Sequence, residues 1–257
     1  MPELVDLELK KIPIEFNAGE HVYKLGDRWL DGVTTVLRAA GKPWLAPWAV
    51  KEAAKYLEDN WKVDRSYDKK ERDQIIVAAK NSWTRRSTDA RGIGTEVHDW
   101  ISTYVQAPET GVPPLKRPHE AGAWRCVDAY LDWRATTGTQ YLASELIVCD
   151  PDLGVAGTLD ALILCEGKIK IADVKTSAAI YDEYWIQCAA YECLYRSMRT
   201  DKSPVVQGRG VLRLDKDSGV WEWMESPIEY QQALDVFLNI LGLHRYNQWC
   251  EKRKETR

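Results

Sequence analysis

Two aspartates and a lysine lie on two apolar segments in the middle of the chain. Asp160 belongs to the run over residues 158–165, and Asp173 and Lys175 belong to the run over residues 168–175. Burying carboxylates without partners is costly or forces them to take up protons, so such runs tolerate acids where positive charge compensates them. Because carboxylate oxygens are the ligands that Mg²⁺ or Mn²⁺ prefers, these residue types indicate a cation site.

The spacing of the two runs predicts how the charged residues meet. A two-residue connection that ends in glycine, residues 166–167, separates the runs and predicts a tight β-hairpin. Counting outward from this turn places Asp160 directly opposite Asp173, on one face of the sheet. Side chains alternate along a strand, so Lys175 projects on the same side as Asp173. The alternative is a solvated sheet end at which both acids point into water.

Two helices are predicted beside this hairpin. Apolar residues at 4-3-4-3 spacing predict one helix over residues 182–198, on which Gln187 and Tyr191 share a side. A second helix is predicted over residues 91–105, and His98 lies there beside the apolar stripe, one turn after a glycine. Such a histidine is able to bind a metal ion, but the same patterns suit an ordinary core histidine, a boundary glutamine and a core tyrosine.

Four short motifs follow one another along the chain. G-x-x-x-H ends at His98, G-T-x-D at Asp160, D-x-K at Lys175 and Q-x-x-x-Y at Tyr191. In this order they resemble the RecB-like branch of the PD-(D/E)XK nuclease superfamily, which includes phage exonucleases and the mitochondrial genome maintenance exonuclease. The resemblance covers residues 91–215. It implies an α/β fold with a restriction-endonuclease-like core, in which helices flank a mixed central β-sheet.

The resemblance also implies a role for each matching residue. His98, Asp160, Asp173 and the backbone carbonyl of Val174 would bind Mg²⁺ or Mn²⁺. Asp160, Asp173 and Lys175 would be the catalytic residues, with Lys175 holding the attacking water. Contact with DNA or support of the site is implied for Gln187, Tyr191, Arg91, Thr176 and Glu145, the last of which is expected to open the preceding strand.

The function implied by the resemblance is that of a metal-dependent DNA exonuclease. It would hydrolyse phosphodiester bonds by metal-activated water, in end resection for recombination, repair or phage DNA metabolism. Its partners would be single-stranded or duplex DNA ends and a recombination or helicase protein, since the chain has no helicase-type P-loop. Two alternatives remain: a structure-specific endonuclease of the same fold, and a non-catalytic DNA-binding or assembly subunit with a vestigial site. The oligomeric state is not predicted.

Cysteine spacing and charge narrow these expectations. The six cysteines are scattered without a C-x-x-C pair, so we expect no four-cysteine iron–sulfur cluster of the kind several members of the branch carry. Scattered cysteines, no signal-peptide pattern and no long apolar run predict a cytoplasmic protein without a membrane partner. The net charge is −4. DNA contact would therefore depend on local basic residues such as Arg91, Arg85 and Arg86, unless these form a solvated helical face.

The chain is predicted to divide near residue 90. Residues 1–90 would form an N-terminal helical extension, with a hairpin over residues 20–30 and helices over residues 33–40, 47–60 and 68–90. Residues 91–257 would form the nuclease core, with later strands over residues 205–214 and 220–224 and a last helix over residues 228–249.

Overall fold

The computed structural model describes residues 7–42, 45–106 and 118–255. Within this range, residues 7–40 and 96–255 form one compact unit, and residues between 41 and 95 form a second one. This division differs from the expected boundary at residue 90. The first strands do not belong to a separate extension, because they pair with the central sheet of the larger unit.

The fold is mixed α/β, with an eight-stranded mixed sheet flanked by helices. The strands are β1 (Ile14–Asn17), β2 (Val22–Leu25), β3 (Arg28–Gly32), β4 (Gln140–Asp150), β5 (Val155–Cys165), β6 (Lys168–Lys175), β7 (Gly208–Leu214) and β8 (Trp221–Glu225). The helices are α1 (Val33–Leu37), α2 (Leu45–Asn60), α3 (Lys69–Gln106), α4 (Ala121–Thr137), α5 (Asp182–Met198) and α6 (Tyr230–Glu255). No helix of the described segments is long and apolar enough to cross a membrane.

Three antiparallel groups make up the sheet: β1–β2–β3, β4–β5–β6 and β7–β8. Two parallel contacts, β3 with β5 and β6 with β7, join these groups. The strands β5 and β6 are buried along most of their length, which explains their nearly continuous apolar sequences. Asp160, Asp173 and Lys175 therefore lie mostly in the interior of the sheet rather than at a solvated end.

The local sequence signals predicted several elements correctly. The helix predicted over residues 182–198 is α5, and the hairpin register is confirmed from Cys165–Lys168 to Ala161–Ala172. The helices predicted over residues 68–90 and 91–105 are instead one continuous helix, α3, whose glycines do not interrupt it. The helix α4 has no counterpart among the predictions.

Candidate metal centre

The candidate site lies where β5 changes its partner strand. One edge of β5 pairs with β4 along its whole length, and the other edge pairs with β3 at Val155 and Ala156 and with β6 from Ala161 onward. Residues 157–160 therefore face a fork between two partner strands. At this fork Asp160 Oδ2 accepts a hydrogen bond of 2.7 Å from the backbone N–H of Val174. This side-chain contact lies beyond the last backbone pair of β5 and β6, Ala161 with Ala172.

Three acids form one row across the neighbouring strands. The registers of β4 with β5 and of β5 with β6 place Glu145, Asp160 and Asp173 at successive positions of this row. Glu145 was expected to open its strand, but it lies in the middle of β4, with a φ of 51°. Such left-handed backbone costs a non-glycine residue on the order of 1 kcal/mol and is enriched at functional sites.

The side chain of His98 reaches this row from α3. Its Nδ1 lies 3.8 Å from Asp160 Oδ1 and 3.9 Å from Glu145 Oε1, and ligand atoms of the three residues all lie within 4.8 Å of one another. Burial alone would lower the pKa of His98, but the charges of Asp160 and Glu145 raise this pKa to about 9. The imidazole therefore partly compensates the acids when no other cation does.

The other ring nitrogen of His98 contacts the backbone of β6. His98 Nε2 and the carbonyl oxygen of Val174 are 3.0 Å apart and share a hydrogen bond. The imidazole thus presents Nε2 to Val174 and Nδ1 to the two acids, and a single ion would be bound through only one of these nitrogens.

Asp173 is fully buried and is held from two sides. Its Oδ1 accepts a hydrogen bond of 3.1 Å from Gln187 Nε2, and its Oδ2 lies 2.5 Å from Lys175 Nζ in an ion pair. Both carboxylate oxygens of Asp173 therefore have a partner in the described part of the chain. Burial raises the pKa of Asp173 to about 6, with the charge of Asp160 adding to the effect and that of Lys175 opposing it.

Lys175 remains positively charged in this setting. Burial lowers the pKa of its ammonium, but the charges of Asp173 and Asp160 raise that pKa by more, and the net shift is upward. Its Nζ also lies 5.0 Å from the centre of the Tyr184 ring, a distance at which a cation interacts with an aromatic face. The lysine is thus a fixed positive charge beside the acid row.

The remaining motif residues brace the site. Gln187 Nε2 also donates a hydrogen bond of 3.1 Å to the Tyr191 hydroxyl, which ties Asp173 to α5 through two side chains. The Tyr191 ring packs on Gly157, where an added Cβ atom would come within 2.6 Å of it. Thr158 Oγ1 shares a hydrogen bond of 2.9 Å with the hydroxyl of Tyr23, a buried residue that the sequence analysis missed. No local signal identifies Tyr23, because strand pairing alone brings β2 to this place.

The structure therefore sorts the predicted residues into groups. His98, Asp160 and Val174 come together as expected, and Glu145 joins them more closely than Asp173 does. Thr176 follows β6 directly, is half-buried and makes no hydrogen bond to the described part of the chain. Arg91 is exposed and belongs to the second compact unit, so its role stays a prediction.

The arrangement fits a divalent cation. Three carboxylates in one row face one ammonium and one imidazole, so negative charge stays in excess whether or not the imidazole carries a proton. The available donors are carboxylate and carbonyl oxygens and one imidazole nitrogen, a set suited to Mg²⁺ and, because of the nitrogen, to Mn²⁺.

Comparison with known proteins adds no functional information. The chain matches no protein-family profile and no curated protein sequence. Among solved structures it is similar to SSO0001, with 11% sequence identity and a TM-score of 0.34 over 78% of this chain and 86% of that chain. A likeness this weak carries no argument, so the function must be inferred from the residues themselves.

Proposed function

We propose that this chain is a metal-dependent DNA exonuclease that hydrolyses phosphodiester bonds. The observation that carries this proposal is the acid row at the fork of β5, with His98 on one side and Lys175 on the other. A site built for structural stability would pair each acid with a base, whereas this one leaves negative charge available for a cation. The four motifs support a nuclease among the possible metal-dependent activities.

Each residue has a chemical task in this reaction. Mg²⁺ or Mn²⁺ held by His98, Glu145, Asp160 and the Val174 carbonyl would lower the pKa of water and offset charge on the phosphate. Lys175 supplies a fixed ammonium that is able to hold the attacking water by a hydrogen bond. The same ammonium stabilises the negative charge that develops on the phosphate oxygens in the transition state.

The helix α5 determines where Lys175 points. Asp173 holds the ammonium by the 2.5 Å ion pair, and Gln187 holds Asp173 through its other oxygen. Because Gln187 is also bonded to Tyr191, three side chains fix the position of one lysine. Positioning of this kind lowers the entropic cost of bringing the reactants together.

The motifs support the remaining parts of the proposal. They favour DNA as the substrate, at single-stranded or duplex ends, and end resection in recombination, repair or phage DNA metabolism as the role. A helicase or recombination protein would supply unwinding. We propose action in the cytoplasm because all six cysteines are unpaired thiols, which suits a reducing compartment.

Digestion of end-labelled DNA tests the proposal. Single- and double-stranded DNA, labelled at the 5′ or the 3′ end, is incubated with Mg²⁺, Mn²⁺ or EDTA. We expect stepwise shortening from one end with either ion and none with EDTA. Asp173→Ala should abolish the reaction, and Asp235→Asn, at an exposed acid of α6, should leave it unchanged.

The same assay separates the alternatives. A strict exonuclease leaves covalently closed single-stranded circles intact, so rapid cutting of circles would identify an endonuclease. DNA binding without cleavage in either ion would instead identify a non-catalytic subunit. Cleavage that persists in EDTA would contradict a metal-dependent mechanism.

A further inference from the structure

A second polar pocket of the same compact unit lies at the start of β5. It is bounded by β3, by the turn that precedes β5 and by the end of α6, and its volume is about 540 Å³. This volume lies in the range of small-molecule binding sites. The pocket shares no lining residue with the acid row and has no part in the chemistry proposed above.

Two guanidinium groups converge in this pocket. Arg28 Nη1 donates to Pro151 O at 2.9 Å, and Arg245 Nη2 donates to Leu153 O at 2.5 Å. Between them lies Gly154, with a φ of 69°, where an added Cβ atom would overlap Arg28 Nη2 and lie 3.3 Å from Arg245 Nη2. Arg28 Nη2 and Arg245 Nη1 make no hydrogen bond to the described residues. The planar N–H fork of arginine matches the oxygens of a phosphate group.

The nearest acid is already engaged by α6. Asp31 Oδ1 accepts hydrogen bonds of 3.2 Å from both His244 Nε2 and Gln248 Nε2, and Asp31 Oδ2 lies 3.5 Å from Arg245 Nε. The rim adds one acid and one base, Glu251 and Lys252. The lining therefore has one positive charge in excess, which favours an anion.

An exposed tryptophan forms the outer wall. Trp29 leaves 63% of its surface exposed and lines the pocket beside Arg28, with Lys24 Nζ 5.7 Å from the ring centre. A large aromatic surface exposed among basic side chains is typical of sites where unpaired bases stack. Trp29 belongs to β3, which pairs with β5 through Asp31 and Val155. On β5, Asp160 follows Val155 by about 16 Å, so this strand runs from the pocket to the acid row.

We propose that this pocket binds one unpaired nucleotide of single-stranded DNA, at a distance from the bond that is cleaved. The base stacks on Trp29, and its phosphate is bound by Arg28 and Arg245. The choice of DNA rests on the proposed nuclease function, whereas the base-plus-phosphate chemistry rests on the pocket alone. A free nucleotide has the same chemistry, so the test must distinguish the two ligands.

Fluorescence anisotropy of labelled oligo(dT) of 20 nucleotides in EDTA measures binding without cleavage. We expect Trp29→Ala to weaken binding about 5- to 150-fold, the range found for loss of one stacked base, and Trp29→Phe to restore most of it. Arg28→Ala should make the slope of log K against the logarithm of salt concentration shallower by about 0.7, the value for one lost phosphate contact on a single strand. The matched control is Trp249→Ala, because Trp249 is 52% exposed on α6 but outside the pocket, and this change should have no effect.

Each outcome decides between the hypotheses. Equal binding by wild type and Trp29→Ala, or equal loss in Trp249→Ala, would overturn the pocket assignment while leaving the nuclease proposal intact. Trp29-dependent binding by a protein that never cleaves DNA would support the pocket and contradict the nuclease. If dTMP bound as tightly as the oligonucleotide, with the same dependence on Trp29, the ligand would be a free nucleotide and the DNA assignment would be wrong.

Discussion

Two buried charge clusters of the larger unit are compensated in opposite ways. Glu192 on α5 is almost fully buried, and both its oxygens are bound by arginines: Arg196 donates at 2.9 and 2.6 Å to Oε1, and Arg209 donates at 2.6 Å to Oε2. In the acid row, by contrast, the compensating side chains are one lysine and one histidine for three carboxylates. The first cluster has an excess of positive charge, and the second has an excess of negative charge.

The difference distinguishes a structural cluster from a site that accepts a ligand. A buried acid with both oxygens bonded to guanidinium groups has no free acceptor for a cation. The Asp173 carboxylate has one ammonium and one amide for its two oxygens, and it lies next to two more acids that have no lysine or arginine partner in the described part of the chain. Burial therefore does not identify function by itself, and the balance of charge within the buried cluster is the more informative property.

The largest expected effect is the loss of cleavage when the acid row is changed. Asp160→Ala and Asp173→Ala should each reduce the rate of DNA hydrolysis in Mn²⁺ by at least about 10³-fold, because each removes a group that binds or positions positive charge. Circular dichroism should show that both variants remain folded, although Asp173→Ala removes the partner of Lys175 and Asp160→Ala removes the acceptor of the Val174 N–H. Full activity of Asp173→Ala in Mn²⁺ would show that the row is not the active site.

The opposite result is expected for the structural cluster. Glu192→Gln leaves Arg209 buried without its counter-charge and should lower the free energy of unfolding by about 3–5 kcal/mol, measured by urea denaturation. Replacing Glu192 and Arg209 together by methionine should recover much of that loss. If Glu192→Gln were less destabilising than Asp173→Asn, the proposed contrast between the clusters would be wrong.

Metal binding should stabilise the protein through the acid row alone. At 100 times its dissociation constant, Mn²⁺ should add about 2.7 kcal/mol to the free energy of unfolding of the wild type, and EDTA should remove this gain. Differential scanning calorimetry should show the same gain for Arg209→Lys and no gain for Asp160→Asn. A gain that persists in Asp160→Asn would place the ion elsewhere.

The smallest expected effect concerns the support of Asp173 by α5. Tyr191→Phe removes one hydrogen bond to Gln187 and should cost about 1 kcal/mol of stability, with a several-fold reduction in the cleavage rate. The ring still packs on Gly157 in this variant, so the fold should persist. An effect on the cleavage rate as large as that of Asp173→Ala would give the Tyr191 hydroxyl a direct part in the reaction.

Local signals predicted the centre of the fold well. A two-residue turn sets the register of β5 and β6, because a slip by one residue would turn every side chain to the other face. Apolar spacing likewise predicted the bounds of α5. The middle position of Glu145 on β4 was missed because the four-residue turn before β5 indicates its strand pairing less clearly than a two-residue turn does. The single helix α3 was missed because glycines suggest a boundary that the structure does not have.

The amino-acid sequence by itself determined the chemistry available to this protein: the hairpin register, the pairing of Asp173 with Lys175, and the spacing of Gln187 and Tyr191 all follow from local periodicity. Tertiary structure alone decided which groups meet around that hairpin. The fork between β3 and β6, the approach of His98 and the row position of Glu145 depend on contacts between distant segments. Such contacts are selected by the packing of the whole core, and local patterns do not encode them.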